Sequence, residues 1–327
     1  MSLLKRLSLI VAVIAAATAT AATSTAVRAQ DFPSGQMRLI VPFAAGGAAD
    51  IIGRAIAEKL GALYGRTIIV ENMPGAGSNI GITAAVRAQP DGHTLVLASV
   101  AVAANVALFK SLPFDPLKDL APLTLALETP NVVIVPAISD VKTIPDLLAH
   151  VKKGSSSYAS AGIGSSLHLA AELFKQQAGV DITHVPYRGS SPALTDLITG
   201  RIDVMFDNAS TALPQVQGGK VRAIAVTTKD RIAQLPDVPT VAESGLPGYE
   251  MSNWWALYVT AKTPPAVVAK LSADLRKALA DPELAKRFDD VSGRIVASSA
   301  EELAAHTARE VKKWERVVES AGIRASQ

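Results

Sequence analysis

Short β-rich runs alternate with amphipathic helical stretches through most of this 327-residue chain. The predicted strands cover residues 37–43, 67–70, 93–99, 131–137, 156–160, 183–187, 203–207, 221–227 and 254–261. The predicted helices cover residues 48–60, 79–88, 144–152, 166–177, 192–199, 265–280 and 300–320. Strands that alternate with helices in this way predict an α/β fold, in which mainly parallel sheets are flanked by helices.

Two proline-rich stretches, residues 111–123 and 235–255, interrupt this alternation. Between them lies a block of about 120 residues that has its own strands and helices. Such a block predicts a second domain inserted into the first. We expect a first lobe formed by residues 30–129 plus 251–327, and a second lobe formed by residues 130–250. Two chain crossings between the lobes predict a hinge and a cleft.

The first residues have the pattern of an export signal. The segment MSLLKR is basic, the apolar run LSLIVAVIAAATATAA follows it, and small residues around Ala29 suit a signal peptidase. The apolar run has about 16 residues, fewer than the roughly 20 that a membrane-spanning helix needs. We therefore expect residues 1–29 to be a signal peptide that is cleaved near Ala29.

The formal charge of +3 belongs to this signal. Removing Lys5, Arg6 and Arg28 leaves 29 basic residues against 29 acidic ones. A balanced charge argues against a nucleic-acid footprint or an anionic membrane surface as the partner. The sequence contains no cysteine, which excludes a disulfide framework, thiol catalysis and thiolate metal sites.

The loop GAGSNIG, residues 75–81, follows a predicted strand and precedes a predicted helix, as a dinucleotide-binding loop does. Three residues separate Gly77 from Gly81, one more than the fingerprint requires. No Asp or Glu occurs in residues 92–112, where the ribose-binding acid is expected. The loop is predicted to form a turn and a helix start, with Ser78 or Asn79 as the cap. A dinucleotide-dependent enzyme is the alternative from another class.

A second glycine loop is a stronger candidate for ligand binding than GAGSNIG. Gly46 and Gly47 follow the first predicted strand, and Asp50 lies in the first turn of the next helix, where a negative side chain suits the helix dipole. Glycines let a ligand approach backbone N–H groups that have no partner within the helix. A tight turn without a ligand is the other interpretation.

A third loop places Gly164, Ser165 and Ser166 between a predicted strand and a predicted helix that carries His168. Free amides and hydroxyls at a helix N-terminus form a site for a carboxylate or another anion. His168 is either a structural hydrogen-bonding residue or a ligand contact. Arg188, in a later loop, either pairs with an anion in the cleft or with a neighbouring carboxylate.

The known enzyme motifs do not fit these residues. No Gly-x-Ser-x-Gly, HExxH or GxxxxGK[ST] pattern occurs, and the five histidines are scattered. Asp203 and Asp207 share a strand face, but their Cα atoms are roughly 13 Å apart, wider than a catalytic carboxylate pair usually needs. Hydrolysis remains possible but has no candidate nucleophile, and the spacing of these residues indicates no metal or cofactor site.

Six segments of the chain together resemble the Bug family, the periplasmic substrate-binding components of tripartite tricarboxylate transporters. The segments are RLIVPFAAGGAADIIGRAIAEKL, VENMPGAGSNIGITAAVRAQPDGHTLVLAS, SLPFDPLKDLAPL, YASAGIGSSLHLAAELF, HVPYRGSSPALTDLITGRIDVMFD and IAVTTKDRIAQLPDVPTVAESGLPGYE. The resemblance covers nearly the whole chain after the signal. It departs slightly from the family in a serine of GAGSNIG, where glycine is frequent, and in a serine of GIGSSLH, where threonine is also common.

The resemblance implies a two-lobed periplasmic binding protein of type II, a monomer that closes on a small carboxylate and is not an enzyme. It implies ligand contacts at Phe43, Ala44, Gly46, Gly47, Asp50, Ser99, Gly164, Ser165, Ser166, His168 and Asp207. The implied partners are the membrane subunits of a tripartite tricarboxylate-type transporter or a sensor kinase. Di- and tricarboxylates, acidic amino acids and aromatic acids all remain candidate ligands, and whether Arg188 or Asn79 touches the ligand is open.

Overall fold

A computed structural model of the chain describes residues 32–321. The chain divides into an N-terminal unit, residues 1–34, of which 32–34 are described, and a second unit, residues 35–327. The predicted signal peptide, residues 1–29, lies outside the described residues. Among the described residues, no helix has the length and apolar character needed to cross a membrane.

Strands and helices alternate through the second unit. The strands are β1 (Met37–Val41), β2 (Ile68–Asn72), β3 (Thr94–Ser99), β4 (Leu120–Pro136), β5 (Ser157–Ser160), β6 (Thr183–Pro186), β7 (Val204–Asn208), β8 (Val221–Val226), β9 (Ser252–Thr260) and β10 (Arg294–Ile295). The helices are α1 (Ala48–Tyr64), α2 (Asn79–Val86), α3 (Ala101–Leu108), α4 (Ile144–Val151), α5 (Ser166–Ala178), α6 (Ser190–Ile198), α7 (Ala209–Gln217), α8 (Pro265–Leu279), α9 (Pro282–Asp289) and α10 (Ala300–Ala321). A short 3-10 turn, Ala76–Ser78, precedes α2.

The ten strands of the described chain form one mixed sheet. Its order is β2-β1-β3-β9-β4-β7-β5-β6, and β8 and β10 also pair with β4. The outer strands are parallel: β1 pairs with β2 and β3, and β5 pairs with β6 and β7. The central strands β4 and β9 run antiparallel to their neighbours. The predicted α/β class is confirmed, with parallel pairing confined to the outer strands.

Strand β4 links two groups of strands. Its first part, Leu120 to Pro130, pairs with β9, and its second part, from Asn131, pairs with β7 and β8. We call β1, β2, β3, β9, β10 and the first part of β4, with α1–α3 and α8–α10, the first lobe. The second lobe comprises β5–β8, the second part of β4, and α4–α7. The predicted boundaries at residues 129/130 and 250/251 fall on β4 and just before β9, and as domain limits they stay a prediction.

Strands β3 and β7 are buried along their whole length. A parallel strand buried on both faces has a continuous apolar sequence, without the alternation of a half-exposed strand. The parallel pairing of β1 with β3 and of β5 with β7 places the carboxyl ends of each pair, and the helix starts that follow them, at one edge of the sheet.

Candidate functional site

A small cavity between the lobes is lined by the starts of four helices. We call it the inner cavity; its lining comprises Phe43, Gly47, Ala48, Ala49, Ser99, Ala161, Ser165, Ser166, Leu167, Ser190, Asn208, Asn253 and Trp255. Gly47, Ser165 and Asn208 are the N-cap residues of α1, α5 and α7, and Ser190 is the first residue of α6. Ser99 lies two positions before the first residue of α3.

These helix starts make the inner cavity suitable for an anion. The first turn of a helix has N–H groups without a partner in the helix and carries a partial positive charge. No side chain caps α1, α6 or α7. None of the lining residues is charged. The site can therefore attract an anion through the dipoles of the helix starts alone, without a charged side chain to form a salt bridge with it.

A wider space, the outer chamber, adjoins the inner cavity. The inner cavity has a volume of about 20 Å³, close to the room that one water molecule needs. The outer chamber has about 350 Å³ and is lined by the loops around Gly75–Ser78, Ala161–Ile163 and Pro186–Arg188. Ala161 lines both spaces. Of a carboxylic acid, only the head group fits the inner cavity in this closed arrangement.

Two larger grooves lie elsewhere on the first lobe. One, of about 560 Å³, runs between α1 and β2, and the other, of about 680 Å³, lies beside α2. Neither brings several helix starts together, so the space between the lobes is the better candidate for an anion site. Within residues 32–321, no group of three or more His, Cys, Asp or Glu side chains is placed to hold a metal ion.

A chain of hydrogen bonds leads from the first lobe to Ser166 in the second. The backbone N–H of Val100 donates to Asn253 Oδ1 at 3.5 Å. Asn253 Nδ2 donates to Asn208 Oδ1 at 3.2 Å, and Asn208 Nδ2 donates to Ser166 Oγ at 3.0 Å. Because a backbone N–H can only donate, it fixes the orientation of both amides. The donors of this chain all point toward Ser166.

Asn131 gives Ser166 a second donor. Its Nδ2 donates to the carbonyl of Phe206 at 2.6 Å and to Ser166 Oγ at 3.3 Å. The two amide donors occupy both lone pairs of the Ser166 oxygen, so its hydrogen is left for an acceptor. No acceptor for that hydrogen is found among the described residues. Ser166 therefore offers a hydrogen-bond donor to the inner cavity, which suits a carboxylate oxygen.

Ala44 and Gly46 lie where the two lobes touch, beside the inner cavity. Ala44 N–H donates to the carbonyl of Arg188 in the second lobe at 3.0 Å. A Cβ on Gly46 would lie 3.5 Å from Ser191 Oγ, also in the second lobe. Ala44 therefore forms a hydrogen bond between the lobes and Gly46 lies beside the second lobe, and the contact of either residue with a ligand stays a prediction.

Asp50 stabilises the loop that precedes α1. It is buried, its Oδ2 accepts from Gly46 N–H at 2.9 Å, and its Oδ1 pairs with Arg54 at 2.9 Å. Burial raises the pKa of Asp50, but the hydrogen bonds from Arg54 and Gly46 outweigh burial and leave this pKa below its usual value. The ionised carboxylate is thus neutralised within the first lobe and does not line the inner cavity.

His168 supports the loop of Gly164 and Ser165 from behind. Its ring Nδ1 accepts from Gly164 N–H at 3.3 Å, and the backbone N–H of His168 donates to Ser165 Oγ at 3.4 Å. The ring packs against His184, with 4.6 Å between the ring centroids. Burial, together with the charge of Lys175, lowers the pKa of His168 to about 4. The imidazole is therefore neutral at neutral pH, as an Nδ1 acceptor must be.

Acid should weaken this support, and we expect an Asn at position 168 to resist that effect. The pKa of His168 falls from 6.5 to about 4 on folding, so its neutral form favours the folded state above pH 6.5 and this stability is lost as pH falls toward 4. In urea unfolding, we expect wild type to lose on the order of 3 kcal/mol more than His168→Asn between pH 7 and pH 4. Asn keeps an acceptor near the position of Nδ1 but does not titrate. Equal losses in both proteins would contradict this role.

Five of the eleven predicted site residues line the inner cavity: Phe43, Gly47, Ser99, Ser165 and Ser166. The other six lie around it and are not among its lining residues: Ala44, Gly46, Asp50, Gly164, His168 and Asp207. Asp207 is fully buried at the end of β7, where Thr211 Oγ1 donates to its Oδ2 at 2.7 Å.

Asn79 and Arg188, whose contact with a ligand the sequence left open, lie in different surroundings. Asn79 Oδ1 accepts from Asn105 Nδ2 at 2.8 Å, and Arg188 lines the outer chamber.

Sequence reasoning missed several lining residues. Ser190, Asn208, Asn253 and Trp255 line the inner cavity, and Trp255 meets Phe43 edge to face at 6.4 Å between ring centroids. Asn208 had a usable signal, because it directly follows the predicted strand 203–207, and Ser99 likewise lies at the end of a predicted strand. Asn253 and Trp255 carried none, since no glycine loop or helix start marks them.

Comparisons with known proteins place this geometry in a family. The family model "Tripartite tricarboxylate transporter family receptor" matches residues 52–323. The structure of the periplasmic binding protein BugD matches with a TM-score of 0.87 and 34% identity, over 90% of this chain and 99% of BugD. R. palustris Rpa4515 with adipate matches with a TM-score of 0.86 and 31% identity, over 90% and 99% of the two chains. MatC (Rpa3494) from Rhodopseudomonas palustris with bound malate matches with a TM-score of 0.84 and 34% identity, over 88% and 100%. The predicted two-lobed fold and the Bug resemblance are confirmed.

Proposed function

This chain belongs to the family of tripartite tricarboxylate transporter receptors, and we propose that it captures a small carboxylate in the cleft between its lobes and acts without catalysis. In this proposal the mature chain is periplasmic, after cleavage near Ala29, and presents the liganded, closed lobes to membrane subunits of a transporter. Family and fold are those of periplasmic solute-binding proteins.

The observation that carries the proposal is the direction of the hydrogen bonds at Ser166. Its oxygen accepts from Asn208 and Asn131, so its hydrogen is available to an acceptor in the inner cavity. The surrounding helix starts add further donors and a positive potential. The structural relatives with adipate and malate bind ligands with the same functional group.

Closure of the lobes is the proposed signal. A carboxylate that contacts the starts of α1 and α5 at once touches both lobes, and it favours the closed state by the contacts that only this state provides. We assign these contacts to Phe43, Gly47, Ser99, Ser165 and Ser166. A membrane partner that binds only the closed arrangement would then respond to the solute.

A thermal-shift screen of the mature chain, residues 30–327, tests the proposal. Binding to the folded state raises the melting temperature by mass action. We expect one or a few carboxylates to raise it, and NAD and neutral sugars, as controls, to leave it unchanged. A shift with NAD and none with any carboxylate would overturn the proposal in favour of the dinucleotide alternative.

The double variant Ser165→Ala/Ser166→Ala should bind the carboxylate found in that screen about 10-fold to 100-fold more weakly. It removes the donor of Ser166, leaves the buried Asn208 amide without its acceptor, removes one of the two acceptors of Asn131, and removes the cap of α5. The matched control is Ser156→Ala, because the Ser156 hydroxyl is buried in the second lobe and has no hydrogen-bond partner in the part of the chain that the structure describes. Calorimetric titration should give wild-type affinity for the control. Unchanged affinity in a folded double variant would contradict the assignment.

A further inference from the structure

The two spaces between the lobes differ in charge. None of the residues that line the inner cavity is charged. Among the described residues that line the outer chamber, Arg188 is the one with a charged side chain. Within residues 32–321, no acidic side chain lines either space. A solute that extends from the inner cavity into the outer chamber therefore meets one cation and no anion.

The inner cavity and the outer chamber are continuous along three chain segments. Pro42, Gly162 and Arg188 line the outer chamber, and residues one or two positions away from each of them line the inner cavity. Consecutive Cα atoms are 3.8 Å apart, so Arg188 lies within about 8 Å of Ser190 in the inner lining. A head group in the inner cavity leaves the rest of a short carbon chain within reach of the Arg188 side chain.

The Arg188 side chain is available for a ligand. Its main chain is held, because its carbonyl accepts from Ala44 N–H at 3.0 Å. Among the described residues, its guanidinium has no ion pair or hydrogen bond. The carboxylate of Asp196, on the following helix, is already occupied by Tyr187, at 2.7 Å, and by Arg201, at 3.3 Å.

We propose that Arg188 is the specificity-determining residue of this site, and that it binds a second carboxylate at the far end of the solute. The inference rests on the proposed function, since it assumes that a first carboxylate occupies the inner cavity. A planar guanidinium can bind a carboxylate with two parallel hydrogen bonds. The preferred solute is then a linear dicarboxylate, held at one end by helix starts and at the other by Arg188.

This arrangement discriminates by charge at the far end. A monocarboxylate of equal length places a methyl group near Arg188 and leaves the guanidinium without a partner. An ω-amino acid places an ammonium beside the guanidinium, and no carboxylate lines the chamber to neutralise it. Both should bind more weakly than the dicarboxylate, the ω-amino acid most of all.

The far contact also depends on closure. Arg188 belongs to the second lobe, and its position beside the first lobe is fixed by the hydrogen bond to Ala44, which exists only while the lobes touch. A dicarboxylate therefore gains an interaction in the closed state that a monocarboxylate lacks. Since such differential contacts shift the population, it should favour closure more strongly.

Calorimetric titration of the mature chain with a matched series tests the proposal. The probes are the linear dicarboxylates from succinate to suberate, and for each the monocarboxylate and the ω-amino acid with the same number of carbons. At the best chain length we expect wild type to bind the dicarboxylate about tenfold more tightly than the monocarboxylate. Arg188→Gln should remove this preference while its affinity for the monocarboxylate stays within about twofold. Lys220→Gln, an equal charge change at an exposed residue outside both linings, should keep it.

The possible outcomes separate this inference from the proposed function. Equal affinity of wild type for mono- and dicarboxylates, or an unchanged preference in Arg188→Gln, would overturn the role of Arg188 and leave carboxylate capture intact. No binding of any of these carboxylates by wild type would overturn the proposed function and this inference with it. Because Arg188 is exposed, the preference should also shrink as salt rises from 0.05 M to about 0.5 M.

Discussion

Replacing Gly164 with alanine is expected to weaken carboxylate binding by about 10-fold to 100-fold and to leave both lobes folded. A Cβ at this position would lie 1.9 Å from Asn105 Oδ1, across the contact between the lobes. Asn105 cannot turn away, because it is fully buried and its Nδ2 donates to Gly77 O and to Asn79 Oδ1, each at 2.8 Å. The clash therefore opposes the closed arrangement and not the fold of either lobe.

Gly179→Ala is the matched control for this variant. Gly164 has a φ of +79° and Gly179, which ends α5 in the same lobe, has a φ of +62°. Alanine in this left-handed region costs about 1–2 kcal/mol at either position. Nothing lies within 4 Å of a Cβ on Gly179. We expect both variants to lose similar thermal stability, and only Gly164→Ala to lose affinity.

Calorimetry with the carboxylate found by screening gives the affinity, and small-angle X-ray scattering with and without it gives the degree of closure. Wild type and Gly179→Ala should become more compact on binding, and Gly164→Ala should not. If Gly164→Ala binds and closes as Gly179→Ala does, the contact between Gly164 and Asn105 is not part of the closed, liganded state.

The same contact accounts for the loop GAGSNIG. Gly77 has a φ of +61°, and a Cβ there would lie 2.4 Å from the carbonyl oxygen of Ile163 in the second lobe. Gly77, one of the glycines that suggest a dinucleotide loop, therefore permits close approach of one lobe to the other, whereas Gly75 and Gly81 lie against residues of their own lobe. Sequence alone could not separate these explanations, since both require a small residue with a positive φ.

The sequence predicted the strands that are buried on both faces and missed elements without a clear pattern. Residues 93–99 and 203–207 were predicted as strands and are found as Thr94–Ser99 and Val204–Asn208. Helix α3 was missed because its residues are apolar nearly all round, so no helical period is visible. The first part of β4 was missed because prolines, which are rare inside sheets, interrupt it at Pro122 and Pro130.

The part of the site that follows strand ends was predictable, and the part from the hinge was not. Ser165 lies between a predicted strand and a predicted helix, a pattern visible in the sequence, and Ser99 is the last residue of the predicted strand 93–99. Trp255 reaches the same cavity because β9 pairs with β3 and sets it opposite Ser99. That register depends on contacts between residues more than 150 positions apart, for which a single sequence has no local signal.

Asp207 should make the stability of this protein depend on pH, and Asp207→Asn should remove that dependence. The side chain is fully buried, its Oδ2 accepts from Thr211 Oγ1, and its Oδ1 has no hydrogen-bond partner among the described residues. Burial raises the pKa of Asp207 from 3.8 to about 7, against the opposing effect of its hydrogen bonds with Thr211 and Asn208.

The sign follows from proton binding. Between pH 3.8 and 7 the folded state holds a proton on Asp207 that the unfolded state has released, so stability from this group is present below pH 3.8 and is lost as pH rises to about 7. Between pH 4 and pH 8, we expect the free energy of unfolding of wild type to fall by on the order of 4 kcal/mol relative to that of Asp207→Asn. Urea unfolding at pH 4, 6 and 8 measures this difference, and Asp140→Asn, at an exposed carboxyl, should follow wild type.

The same variant tests whether Asp207 contacts the ligand, as the family resemblance implies. An ionised Asp207 would repel a carboxylate, so only its protonated form could donate a hydrogen bond to one. If it made that contact, wild-type affinity would fall above pH 7 while the affinity of Asp207→Asn stayed constant. Since Asp207 is not among the residues that line the inner cavity, we expect both affinities to change in parallel from pH 6 to pH 8. A pH-dependent stability with a pH-independent affinity ratio would assign Asp207 to the packing beneath the site, where its proton stabilises the end of β7.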